Sequence, residues 1–346
     1  MNNINEQNLS MENVGNMLQL SQLDISTCID FIVHVCSVDY FDATQSIIIL
    51  QKLNKLKNFR EYFQYKDHPS LPKILCEIGS LIAETSQSQL ALPFFVEQLR
   101  IEKYYLGSTH PDLASVLFSI GQVYEKNDQL VEGKKCFMEA FALLNNHGTK
   151  GQLYASLAYN IGLINFRQTS YKDAMEQFDL AITEYYAAYG DFHPAVAEVR
   201  MKIGYLQLEI GKLQDAMNNF LEALVILRIV LGNENCKVAQ CLYGIGLIHE
   251  AKAEFIESLN VLSQALSINE NAEDDDDEDD TFSLVLLHRI GLIYQSIEDI
   301  DKAIKVFENL KNIIKLKFGD EKAEEKLLST FGLSIINGSP QAAAAA

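Results

Sequence analysis

The chain has 346 residues, 48% of them hydrophobic and 10% aromatic, and its 28 basic and 47 acidic side chains give a formal net charge of −19. This charge argues against a nucleic-acid partner and against an anionic membrane surface, since both require a basic face. No apolar run approaches the roughly 20 residues that span a bilayer, and no secretory signal begins the chain. We therefore expect a cytoplasmic, acidic protein without membrane insertion.

The N-terminal part of the chain differs in character from the rest. Residues 1–24 are polar and lack periodicity, so we expect a disordered polar tail. Residues 25–60 contain two apolar-periodic stretches, which we interpret as an N-terminal helical cap or a degenerate repeat.

An Ile-Gly dipeptide then recurs six times, with glycine spacings of 41 to 45 residues. A period of this length predicts a repeat architecture of stacked supersecondary units. We call the six glycines the repeat glycines: Gly79, Gly121, Gly162, Gly204, Gly246 and Gly291.

The unit around Gly204 shows the pattern within one repeat. Pro194 suits the first position of a helix, where its missing N–H would have no partner in any case. Apolar residues five before, one before and two after the repeat glycine form one helical face: Val199, Ile203 and Leu206. A second helix from near Leu213 to Leu231 places a small residue, an aromatic residue and an alanine on one face: Ala216, Phe220 and Ala223.

This combination resembles the tetratricopeptide repeat. The period near 42 and the Leu-Gly-x-x-His-Pro linkers, clearest at 106–111 and more loosely at 189–194, resemble the kinesin light chain and nephrocystin-like type. The resemblance covers residues 69 to about 336. It implies an all-α, right-handed α-solenoid of about six helix pairs, with an N-terminal helical cap and a C-terminal capping helix near 320–336.

The repeat array is therefore placed at residues 69–336. Residues 271–281 contain eight consecutive acids and add three residues to the period, so we expect an acidic loop insert there. Residues 337–346 are expected to form a disordered tail.

The sequence contains no recognisable catalytic or cofactor motif. It has no phosphate-binding glycine loop, no nucleophile elbow and no Cys-x-x-Cys pair among its six cysteines. Three histidines precede proline at the same repeat position, which favours a capping or packing role. We expect a protein that is not an enzyme, uses no cofactor and holds no metal.

The resemblance places partner contacts six and three residues before, and one and four residues after, each repeat glycine, on the concave wall. In some members of the family, a clamp for a terminal carboxylate occupies the positions three before and one after. These positions carry no Lys, Asn and Arg set for a terminal carboxylate; they are mostly aromatic and aliphatic, which suits an apolar or amphipathic peptide or helix. We call the candidate groove residues the inner row: Phe118, Tyr159, Leu163, Phe166, Met201, Tyr205, Tyr243, Leu247, His288 and Leu292.

The predicted function is a scaffold or adaptor for a protein or peptide partner. Three alternatives remain open. The inner row could pack against neighbouring repeats or the N-terminal stretch, or the chain could be a structural subunit of a multi-subunit complex held by its convex face. Resemblance also allows a motor–cargo or ciliary-type adaptor, although residues 1–60 are too short and irregular for the coiled coil of a kinesin light chain.

Overall fold

The computed structural model of the chain describes residues 71–85, 87–271 and 277–318. Within these ranges all regular structure is helical, as predicted, with twelve α-helices and one short 3₁₀ helix. The predictions for 1–24, 25–60, 320–336 and 337–346 lie outside the described residues.

The helices alternate as first and second members of six pairs. The first helices are α1 (Leu71–Ala83), α3 (Leu113–Lys126), α5 (Gln152–Arg167), α7 (Pro194–Glu209), α9 (Cys236–Ala251) and α11 (Asp277–Ser296). The second helices are α2 (Leu92–Leu106), α4 (Leu130–Asn146), α6 (Tyr171–Tyr189), α8 (Leu213–Leu231), α10 (Phe255–Asn271) and α12 (Ile300–Phe318), and the 3₁₀ helix Ser88–Ala91 precedes α2.

The chain divides into two compact units between Glu184 and Tyr185, inside α6. The first unit holds α1 to α5 and most of α6. The second unit holds the end of α6 and α7 to α12.

In the first unit, each repeat glycine lies against the aromatic ring of its partner helix. A Cβ at Gly79 would lie 2.7 Å from the ring of Phe95, and one at Gly162 would lie 2.7 Å from the ring of Phe178. Gly121 faces Phe137 in the same way. The glycines thus permit the close helix approach that the sequence pattern predicts.

The second unit uses the same device with one variation. Gly291 faces Phe307, and Gly246 faces Leu262, which replaces the aromatic ring. The ring of Phe220 lies between Gly204 of α7 and Gly244 of α9, which meet opposite edges of the ring. This ring therefore fixes the spacing of two consecutive first helices.

The predicted core face of the first helices is confirmed. In α3 the three positions are 2 to 4% exposed, and in α7 they are 1 to 6% exposed. The residues concerned are Val116, Ile120 and Val123 in the first unit, and Val199, Ile203 and Leu206 in the second.

The histidine of the His-Pro linker before α7 caps that helix, and the one before α3 bonds to the backbone just ahead of its helix. Nδ1 of His193 accepts a hydrogen bond of 3.2 Å from the backbone N–H of Ala195, and Nδ1 of His110 accepts one of 3.3 Å from Asp112. Asn235 holds the same repeat position before α9 and accepts from the N–H of Lys237 at 3.0 Å. Eleven residues before the repeat glycine is therefore the N-cap position of α7 and of α9.

A left-handed residue ends the turn between the two helices of several pairs. It stands seven residues after the repeat glycine, where φ lies between 57° and 77°. Only one of these residues is glycine: Asp128, Thr169, Gly211, Ala253 and Glu298.

The acidic run does not form the loop that the sequence predicts throughout its length. Helix α10 ends at Asn271 and α11 begins at Asp277, so the loop prediction is wrong for residues 277–281. Residues 272–276 lie outside the described residues.

Candidate functional site

In the first unit, the inner-row residues are all partly exposed. The ring of Phe118 lies 5.7 Å from that of Phe137, and the ring of Tyr159 lies 6.1 Å from that of Phe178. These two rings therefore rest on the buried aromatic residue of their own pair. Leu163 and Phe166 extend the accessible apolar surface along α5.

In the second unit, one inner-row residue departs from the expectation. Met201 is only 6% exposed, so it contributes to the core. Its unbranched, flexible side chain can fill irregular gaps, which offset counting along a helix does not anticipate. The remaining residues are partly exposed: Tyr205, Tyr243, Leu247, His288 and Leu292.

Tyr205 has a structural role in addition to its place in the inner row. Its hydroxyl donates a hydrogen bond of 3.2 Å to the carbonyl oxygen of Gln240 in α9, and its ring meets that of Phe220 edge-on at 4.9 Å. Burial raises the pKa of the Tyr205 hydroxyl far above its usual value. The predicted rival, packing against a neighbouring repeat, therefore applies to this residue.

The other two inner-row residues of the second unit that carry a ring, Tyr243 and His288, also contact neighbouring residues. Tyr243 meets Phe282 of α11 edge-on at 5.7 Å, and His288 lies 6.1 Å from Phe307. Burial, together with the adjacent charge of Arg289, lowers the pKa of His288 below its usual 6.5. His288 is therefore mainly uncharged at neutral pH.

The first unit also contains a pocket of about 660 Å³, which we call the polar pocket. Ser80, Ser119 and Gln122 provide hydroxyl and amide groups to its wall, and Phe95 provides a ring. Five charged residues also line the polar pocket: Glu84, Glu125, Lys126, Asp128 and Arg167.

Both basic residues of the polar pocket are engaged. Nζ of Lys126 donates to the carbonyl oxygens of Ala83 and Thr85, at 2.8 and 3.2 Å. Nη2 of Arg167 lies 3.7 Å from Oε1 of Glu125. These contacts tie α3 to the turn after α1, and α5 to α3.

The sequence interpretation missed the charged residues of this pocket. The inner row includes positions up to four residues after the repeat glycine, whereas Glu84, Lys126 and Arg167 all lie five residues after it. One further position along the same helices would have identified a charged row at the ends of α1, α3 and α5.

The described residues show no arrangement typical of metal or thiol chemistry. Among them, no group of three or more His, Cys, Asp or Glu side chains could hold a metal ion, and none of the four cysteines forms a disulfide bond. Burial raises the pKa of Cys136 to about 11 and that of Cys241 to about 12, so both thiols stay protonated near neutral pH. Within the same ranges, no helix has the length and apolar character to span a bilayer.

Comparison with known proteins agrees with the helix pairs. Residues 285–313 match the tetratricopeptide repeat family model. Protein KINESIN LIGHT CHAIN-RELATED 1 of Arabidopsis thaliana is 27% identical over 170 residues, which are 49% of this chain and 27% of that protein. The match thus spans about a quarter of the length of this curated relative.

Two solved structures share the fold. BtubC (BKLC) from P. vanneervenii superposes with a TM-score of 0.55 at 17% identity, over 64% of this chain and 88% of that one. The Q17M form of a Podosopora anserina protein, described as a kinesin light chain with nearly identical TPR-like repeats, gives a TM-score of 0.51 at 14% identity. That superposition covers 60% and 98% of the two chains.

The helix pairs and the glycine–aromatic contacts are those of a tetratricopeptide-type fold, and residues 285–313 match the family model of that repeat. The chain shares the fold of a tetratricopeptide-type α-solenoid with these solved structures. This fold is typical of protein–protein interaction scaffolds.

Proposed function

We propose that the protein is a non-enzymatic scaffold or adaptor that binds an apolar or amphipathic segment of a protein partner along its inner row. The observation that carries this proposal is the partial exposure of aromatic and aliphatic side chains on successive first helices. Large rings already supported by core residues lose little conformational entropy on binding, which suits them to protein contacts.

A second candidate function has its own observation in the second unit. Leu221, Val225 and Ile229 are 46%, 54% and 63% exposed, and they follow one another at intervals of four residues on α8. A second helix of a repeat normally presents a polar face to solvent. An apolar stripe there supports the alternative of a structural subunit held by its convex face.

The cytoplasm is the proposed location, and the cysteines of the described residues, none of which forms a disulfide bond, suit its reducing environment. A motor–cargo or ciliary role remains an alternative that rests on the kinesin light chain-like repeats alone.

The two candidate functions can be separated with two matched variants of the full chain. The first variant carries Leu163→Ala, Phe166→Ala and Leu247→Ala in the inner row. The second carries Leu221→Ala, Val225→Ala and Ile229→Ala on α8. Each removes three partly exposed apolar side chains, and circular dichroism checks that both variants keep their helical content.

Quantitative mass spectrometry of proteins co-purified with each variant then gives the result. The proposal expects partners to be lost, by about tenfold or more, from the inner-row variant and retained by the α8 variant. The reverse pattern would establish the convex-face alternative. Unchanged capture by the inner-row variant would contradict the proposal.

A further inference from the structure

We infer that the polar pocket of the first unit accepts a positively charged side chain, lysine or arginine, from the bound protein segment. This inference rests on the proposed function and adds the chemistry of one residue of the partner. The pocket lies within the first unit, at the ends of α1, α3 and α5 and beside Phe95 of α2.

The charged residues of the polar pocket favour a positively charged occupant. Its two bases are already engaged, Lys126 by two backbone carbonyls and Arg167 by Glu125. Glu84 and Asp128 line the same space, are exposed, and form no ion pair with any described side chain. The pocket therefore offers two carboxylates for which the described part of the chain supplies no counter-ion.

The orientation of the helices also favours a cation at the polar pocket. Helix α1 ends at Ala83 and α3 ends at Lys126, so both C-termini lie at this pocket. The C-terminal end of a helix carries partial negative charge and stabilises cations. The ammonium of Lys126 already occupies carbonyl oxygens at the end of α1, which shows that an amino group suits this position.

The shape and composition of the polar pocket suit a long side chain that has an apolar stem. A volume of about 660 Å³ is sufficient for a long side chain. Phe95, Ala83 and Val123 provide apolar surface beside the carboxylates. Lysine and arginine combine an apolar stem with a charged end, so they can cover this surface while their charge reaches Glu84 or Asp128.

An acidic side chain is the competing occupant, because Arg167 is half exposed. It would have to displace Glu125 from the guanidinium and lie between Glu84 and Asp128. The charge balance disfavours that arrangement.

The test begins with a random dodecapeptide library selected on the immobilised full chain. The most enriched peptide is then labelled, and its affinity is measured by fluorescence anisotropy at low salt. Three proteins are compared: wild type, Glu84→Gln/Asp128→Asn, and the control Asp173→Asn/Glu176→Gln. The control changes net charge equally at exposed sites on α6, outside the pocket.

The inference expects a lysine or arginine in the enriched peptides. Replacing it by norleucine, or using the Glu84→Gln/Asp128→Asn protein, should weaken binding by about fivefold, the upper range for a solvent-exposed ion pair. The two changes together should cost no more than either alone, since each removes the same interaction. The control protein should bind as wild type does.

Failure of the inference and failure of the proposed function give different results. Peptides that are enriched without a basic residue, or that bind equally to both charge variants, would overturn the inference and leave the proposed function standing. Enrichment of acidic peptides that depend on Arg167 would overturn it in favour of the competing occupant. A library that yields no binding peptide would contradict the proposed function and the inference with it.

Discussion

The ring of Phe220 has a glycine at each of two opposite edges, Gly204 from α7 and Gly244 from α9. A side chain at either position would have to displace a fully buried ring rather than the end of a flexible chain. The repeat glycine is therefore required for packing. It recurs in the sequence because a large side chain, in most pairs an aromatic ring, lies opposite it.

We expect Gly204→Val to lower the free energy of unfolding by about 1–3 kcal/mol, the usual range for overpacking a core. Urea unfolding followed by circular dichroism measures this value. Glu209→Val is the control, since it places the same side chain at an exposed position of the same helix. Equal unfolding midpoints for the two variants would contradict the close contact at Gly204.

At the scale of the helix, the His-Pro linker acts through its histidine. His193 accepts from the N–H of Ala195, while Pro194 occupies the first helical position, where no N–H is needed. Asn235 performs the same function before α9 without a proline after it. The requirement at this position is therefore a hydrogen-bond acceptor rather than an imidazole.

This reasoning predicts different outcomes for two substitutions at one site. His193→Ala should lower the free energy of unfolding by about 1 kcal/mol through loss of the cap, whereas His193→Asn should retain most of it. The ring of His193 also stacks on Tyr189 at 3.9 Å, so a small loss in the Asn variant is expected. Thermal unfolding of both variants measures the difference; equal losses would assign the histidine a purely packing role.

At the scale of the whole chain, stability should be distributed over the helix pairs, because each pair buries its faces only against its neighbours. A chain that ends at Asn271 lacks α11 and α12 as a complete pair. A chain that ends at Ser296 keeps α11 and loses α12, which uncovers buried residues such as Leu287.

The shorter chain should therefore be the better-folded one. We expect the chain ending at Asn271 to keep its helical content per residue with a lower melting temperature. The chain ending at Ser296 should lose helicity or self-associate through the uncovered face. Circular dichroism and analytical ultracentrifugation compare the two. Greater order in the longer chain would contradict pairwise stabilisation.

The repeat spacing was sufficient to predict the helix pairs, the core face around Gly204 and the aromatic contacts, because these depend on offsets within a single repeat. The polar pocket was not predictable in the same way. It brings together Glu84, Asp128 and Arg167 from three repeats, and the ion pair of Arg167 with Glu125 depends on three-dimensional distances. Met201 shows the same limit, since its burial depends on which gap its side chain fills.

The left-handed residue in the turns has a practical consequence. Thr169, Ala253 and Glu298 adopt a conformation that costs a side-chain-bearing residue about 1–2 kcal/mol, whereas Gly211 adopts its counterpart without that strain. None of the three residues belongs to the inner row or lines the polar pocket. Glycine at these turns would relieve local strain without altering either recognition surface, so the durability of the chain and its choice of partner can be engineered independently.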